Sequence, residues 1–155
     1  DLTYLITHAS YGGSAVLFTD SELSGVLGYD RACHDLLDFD LAYALRSFCR
    51  PPLNRRHGAW IDSDRCQRFM RAHRSEAPVN DADLWALPLV MRAQELAAVV
   101  RKCENLLGKH ATKPRQTRDA LRFAELLAGE AIRLRWLTEN VNDIEDLALD
   151  GRAGA

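Results

Sequence analysis

The chain has 155 residues, 47% hydrophobic and 27% charged, which is enough for one domain with a real core and excludes general disorder. Twenty Lys and Arg against 22 Asp and Glu leave a net charge of −2, and no basic stripe interleaved with aromatics is present, so nucleic acid is not an expected partner. No apolar run approaches the roughly 20 residues of a membrane span and no signal-peptide pattern opens the chain, so no membrane partner is expected either.

Short apolar runs separated by turn residues occupy the first 50 positions, a strand-like texture. "AVLF" (15–18) and "GVLGY" (25–29) flank the polar "TDSELS", which predicts a β-hairpin with a six-residue connection. "DFDLAYALRSFC" opens with aspartates suited to capping and predicts a helix over 40–49, with Leu41, Ala44, Leu45 and Phe48 on one face. The basic, proline-broken "RPPLNRRHG" (50–58) reads as a solvated loop. An amphipathic helix follows over 62–76, capped by Asp62 or Ser63. The run 81–107 predicts a long helix with Pro88 near its start and Gly108 as its C-cap. "KHATKPRQT" reads as a linker and 117–148 as a last long helix, leaving 149–155 as a flexible tail. The class is therefore α+β and mostly helical, a small hairpin packed on about four helices. The predicted core comprises Val16, Leu27, Leu41, Leu45, Phe69, Leu87, Met91, Val99, Leu127, Leu134 and Leu137.

Four groupings have the residue types of a chemical site. His8 and Ser10 suggest a base beside a nucleophile, but the G-x-S-x-G elbow is missing and the two lie too close in sequence to orient freely, so His8 is read as supporting a turn. "YDRACHDLLDFD" (29–40) gathers Asp30, Cys33, His34, Asp35, Asp38 and Asp40 without the spacing of a metal site, and reads as a cap-rich loop entering a helix. Gly12 and Gly13 suggest a phosphate nest, yet no G-K-[ST] follows. Trp60, Trp85 and Trp136 read as core or helix-packing residues. The cysteines at 33, 49, 66 and 103 include no C-x-x-C pair, so reduced, mostly buried thiols in a cytoplasmic protein are expected and no metal is.

Taken in order, "LITHASYGGSAVLF", "SGVLGYDRACHDLLDFDLAYAL", "LPLVMRAQELAAVV" and "RLRWLTENV" resemble the C-terminal lobe of the aminoglycoside phosphotransferase-like small-molecule kinases, near their homoserine-kinase-type members. The likeness is specific over 5–45 and looser over 84–145. It implies a single kinase-like lobe over 1–148, with a hairpin region 1–39 and a helical region 40–148. His8 matches the family histidine, Ala9 stands where glycine is usual, and Asp40, Leu41 and Ala42 match a structural D-L-A whose aspartate steadies the catalytic loop. Ser10 occupies the place of the catalytic aspartate, Ala15 that of the metal-binding asparagine, and Gly28 that of the magnesium-holding aspartate. Asp30, two residues beyond Gly28, is a weak substitute, because two strand residues displace a side chain by about 6–7 Å.

The resemblance also implies a nucleotide-binding N-terminal lobe that this sequence, which begins at Asp1, does not contain. A degenerate lobe of this kind, a pseudokinase or remnant, is expected to act by binding. Its partner is a missing lobe, another protein, a second copy or a small molecule, and an apolar face near Leu5, Ile6 and Tyr11 is expected. A piece of an active or once-active phosphotransferase whose ATP-binding lobe lies elsewhere, and an unrelated helical binding module or an enzyme with new chemistry in the old cleft, are the competing readings. No cofactor is expected for this chain. ATP and magnesium belong to it only if the phosphotransferase reading holds.

Overall fold

Alternation of side chains across a strand needs a partner strand to fix it, and two such pairs form in the first 36 residues. The structure is a computed structural model describing residues 1–51, 60–77, 79–110 and 117–149. Its strands are β1 (Tyr4–Thr7), β2 (Val16–Thr19), β3 (Glu22–Val26) and β4 (Cys33–Leu36). They make two separate antiparallel pairs, β2 with β3 and β1 with β4. Helices α1 (Leu37–Phe48), α2 (Ser63–Glu76), α3 (Asp81–His110), α4 (Thr117–Glu139) and α5 (Val141–Leu149) follow. The protein is thus α+β and mostly helical, as its sequence predicts.

The hairpin is tighter than expected. Thr19 pairs with Glu22, so only Asp20 and Ser21 turn the chain, and both adopt positive φ (50° and 70°). Two left-handed residues give the backbone twist that matches paired strands. The expected six-residue connection is therefore wrong: Glu22, Leu23 and Ser24 are strand, and β3 ends at Val26, short of Tyr29.

The second pair was not predicted. "CHDL" lies within the segment read as a cap-rich loop, but pairs Ile6 with His34 and Tyr4 with Leu36. The Tyr4 and His34 rings stack 5.8 Å apart, which helps hold a polar strand in register.

Helix α1 begins at Leu37 rather than residue 40, and its N-cap Leu36 makes no side-chain cap. Of the aspartates expected to cap it, Asp40 instead binds backbone N–H groups of the loop after β1, and Asp38 is buried with no hydrogen-bond partner. Asp62 does cap α2, accepting the Arg65 N–H at 3.0 Å. At the start of α3, Asn80 and Asp83 exchange hydrogen bonds through their side chains, a capping box. Asp83 also accepts from the Thr3 N–H and Oγ1, both at 2.7 Å, and so ties the chain ahead of β1 to α3.

Two helix ends differ from expectation. Gly108 does not cap α3, which continues to His110. The last helix is two: the Asn140 side chain joins its own N–H in bonding the Trp136 carbonyl (2.8 and 2.9 Å), and α5 starts afresh at Val141. An asparagine that satisfies the preceding turn competes with continuation of the helix. The basic loop falls mainly on residues 52–59 and the tail mainly on 150–155, outside the described residues.

The core gathers Leu41, Leu45, Leu87, Met91 and Leu137, as predicted, with Cys49, Ile61, Cys66, Met70, Leu84 and Ile144 added. Phe69 packs against it half-buried. Val16, Val99, Leu127 and Leu134 are only half-buried, and Leu27 is 50% exposed. Leu27 fails as core because its backbone, not its side chain, faces inward: its N–H donates to the Ala15 carbonyl at 2.7 Å. Between α3 and α4 ion pairs are buried as well. Fully buried Glu95 accepts from Arg133 at 2.8 Å and pairs with Arg46 at 3.5 Å, while buried Glu130 pairs with Lys102 and Arg133.

Trp60 and Trp136 pack on the core, but Trp85 is 57% exposed and shares a solvent-facing stripe of α3 with Leu89, Leu96 and Val100. The cysteines carry no disulfide. Cys49 and Cys66 are buried together, and the thiol–thiol hydrogen bond between them and then burial push the Cys49 thiol up, whereas Cys33 is exposed, contrary to expectation.

Candidate functional site

The loop between β1 and β2 is built on Asp40, the fourth residue of α1. Its carboxylate accepts the His8 N–H and, at 2.7 Å, the Ala9 N–H. Two adjacent amides on one carboxylate fix the loop's direction, and they hold Ala9 at φ 61°, a left-handed conformation that glycine adopts more cheaply.

From there His8 reaches across the site. Its Nε2 lies 2.6 Å from the Leu27 carbonyl and its Nδ1 3.3 Å from Ser10 Oγ. With Nε2–H donating to the carbonyl, Nδ1 is free to accept the serine hydroxyl. The histidine thus supports the loop through the backbone, as expected, yet it also meets Ser10 despite their closeness in sequence. The edges of Tyr29 and Tyr11 close over the ring, at 4.9 and 5.9 Å.

Gly28 faces the same histidine. It takes φ 86° at the start of a 3₁₀ turn (Tyr29–Arg31), and a Cβ there would lie 3.5 Å from His8 Cε1 and 3.9 Å from Ser10 Oγ. The structure therefore brings positions 10 and 28 together around His8. Ala15 is 6% exposed, and its carbonyl accepts the Leu27 N–H, which ties β2 to the chain just before Gly28.

Asp30 is exposed in the turn, not on a continuing strand. The left-handed step at Gly28 breaks the extended geometry on which its candidacy as a substitute rested.

The remaining groupings resolve into structural roles. Gly12 and Gly13 approach α1, where Ser47 Oγ accepts the Gly13 N–H at 2.8 Å; a Cβ at Gly12 would sit 2.7 Å from that oxygen. That is close packing rather than a phosphate nest. The carboxylates of 29–40 scatter. Asp35 bonds the Leu36 N–H, Asp38 is buried, and Asp40 serves the loop. Among the described residues no three His, Cys, Asp or Glu side chains gather as a metal site.

Magnesium demands near-octahedral oxygen ligands. Ser10 offers one hydroxyl engaged with His8, Ala15 a methyl, and Gly28 nothing. These residues do not fit the ion.

Beside the loop lies a cavity of about 360 Å³ that the sequence reading did not single out. Ala9 and Arg31 form one end. Phe39, Tyr43 and Arg46 of α1 and Gln94 and Arg101 of α3 line the rest. The contributing positions are spread over some 90 residues, and no local motif could have joined them.

With the geometry in hand, the chain can be set beside known proteins. No family profile matches it. It is 26% identical over 151 residues, 97% of its own length, to a homoserine kinase of a Bradyrhizobium species, of which it covers 42%. It is 33% identical over 96 residues to the homoserine kinase of Methylocella silvestris and 31% over 96 residues to that of Agrobacterium fabrum; each match takes in 62% of this chain and 28% of the relative. The chain thus resembles homoserine kinases along nearly all of its length, while spanning about two fifths of theirs.

Proposed function

We propose that this chain is a homoserine-kinase-like C-terminal lobe, within the wider aminoglycoside phosphotransferase group, that keeps the catalytic-loop scaffold without its chemistry and acts by binding. One observation carries the reading. Asp40 still pins the loop and positions 10 and 28 still converge on His8, yet the side chains there are a hydroxyl and a hydrogen.

A serine hydroxyl is too weak a base near neutral pH to take a proton from an alcohol as a carboxylate does. Phosphoryl transfer depends on positioning and on neutralising phosphate charge, and Ala15 and Gly28 bring no oxygen to hold a neutralising ion. What remains for His8 is to orient Ser10 and to brace the loop against Leu27.

The reading includes a cytoplasmic location, which suits four cysteines spaced without a C-x-x-C pair or a disulfide-type framework. No described helix is long and apolar enough to cross a membrane.

The test is transfer of labelled phosphate from ATP to homoserine, choline or an aminoglycoside by the purified chain, with and without magnesium. No turnover is expected. Magnesium-dependent turnover that vanishes in Asp30→Ala would show that Asp30 has replaced the lost ligand, and would overturn the reading.

The fraction of the relatives' length that is covered favours one second reading, a piece of a phosphotransferase whose ATP-binding lobe lies elsewhere. A glycine-rich loop and a lysine encoded in frame upstream of Asp1 would support it.

A further inference from the structure

The cavity beside the loop has an unusual charge composition. Three of its side chains are guanidinium groups, Arg31, Arg46 and Arg101, and no carboxylate lines it. Arg46 is partly offset, since it pairs with Glu95 at 3.5 Å, but Glu95 is shared with Arg133. Arg31 and Arg101 have no ion pair among the described residues. About two positive charges therefore converge on the space without a partner. Cations are repelled from such a space, and anions are concentrated in it.

The cavity is also built to hold shape. Arg46 stacks on Tyr43 at 5.1 Å while tethered to Glu95, so one guanidinium is held from two sides. Phe39 and Tyr43 supply apolar wall from α1. Gln94 Nε2 donates to the Phe39 carbonyl at 2.7 Å, which fixes the amide; its Oε1 is buried and has no partner. At about 360 Å³ the space falls within the range of small-molecule sites.

We infer that this cavity binds a small organic dianion. Guanidinium forks suit planar or tetrahedral oxyanions, so dicarboxylates and phosphomonoesters share the required chemistry. The aromatic wall from Phe39 and Tyr43 covers the ligand's carbon skeleton. This rests on the ligand-binding reading above but is independent of whether phosphate transfer is lost.

The experiment is calorimetric titration of the purified chain at fixed ionic strength with succinate, malate, glycerol phosphate and, as cation control, putrescine. A dianion is expected to bind with a Kd below about 1 mM, and putrescine not at all. Succinate and malate against glycerol phosphate separate a dicarboxylate from a phosphomonoester site. Arg31→Gln and Arg101→Gln each weaken binding at least about tenfold, the scale of one charge-assisted contact, and leave the ligand-free melting temperature unchanged because both residues are exposed.

No dianion binding at about 10 mM, equal binding of putrescine, or an Arg31→Gln/Arg101→Gln double variant that binds like the parent would overturn the inference. Those results would leave the kinase-inactive reading intact, whereas ATP turnover would overturn that reading and leave this one standing.

Discussion

Asp38, the second residue of α1, is fully buried and neither of its oxygens has a hydrogen-bond partner. Burial, and then the carboxylate of Asp83, push its pKa up to about 7. The sign follows from proton uptake. Between about 4, where an unfolded aspartate titrates, and about 7, the folded protein holds a proton that the unfolded chain has lost. This group's contribution is therefore most favourable below pH 4 and is lost as pH rises through 7. Asp38→Asn, neutral at every pH, is expected to stabilise the protein at pH 8 by on the order of 2 kcal/mol and to have little effect at pH 4. Thermal melts of the two proteins across that range check it; an equal shift at both pH values would refute it.

At the scale of elements, the loop between β1 and β2 is seated on α1 by contacts that need a hydrogen at position 12. A methyl there would meet Ser47 Oγ at 2.7 Å and Tyr43 Cε1 at 2.9 Å, both too close, and the Gly13 N–H bond to Ser47 would be pushed apart. Gly12→Ala is expected to cost about 1–3 kcal/mol, the usual scale of overpacking, read as a lowered denaturant midpoint. Double replacement with Ser47→Ala should recover part of that loss by removing the obstructing hydroxyl.

The same elements show what could be read from the sequence. The positions of α1, α2 and α3 were legible because Leu41, Leu45, Cys66, Met70, Leu87 and Met91 repeat at helical spacing. The loop's dependence on Asp40 was legible only through the family likeness. Strand β4 was not, because "CHDL" does not alternate and finds its register only against β1, some 30 residues away. The break at Asn140 is hidden in the sequence because helical periodicity runs through it, and the arginine cavity because its parts meet only in three dimensions.

At the scale of the whole molecule, the sheets are thinly covered. Ile6 is 70% exposed, and Tyr4, Leu17, Phe18 and Leu23 of the same two strand pairs are exposed as well, while Leu5 and Tyr11 are half-buried. The apolar face expected near Leu5, Ile6 and Tyr11 thus centres on Tyr4 and Ile6, which point to one side of β1 at alternate positions. Apolar side chains on strands that lack further partners favour association, since each large side chain removed from water contributes about 1.5–3 kcal/mol. The isolated chain is therefore expected to self-associate as concentration rises and to bind a hydrophobic dye. Ile6→Lys with Phe18→Lys should shift it toward monomer in sedimentation without altering the helical circular-dichroism signal, because neither side chain enters the core. A parent chain that sediments as a monomer at high concentration and leaves the dye dark would show that these strands need no cover.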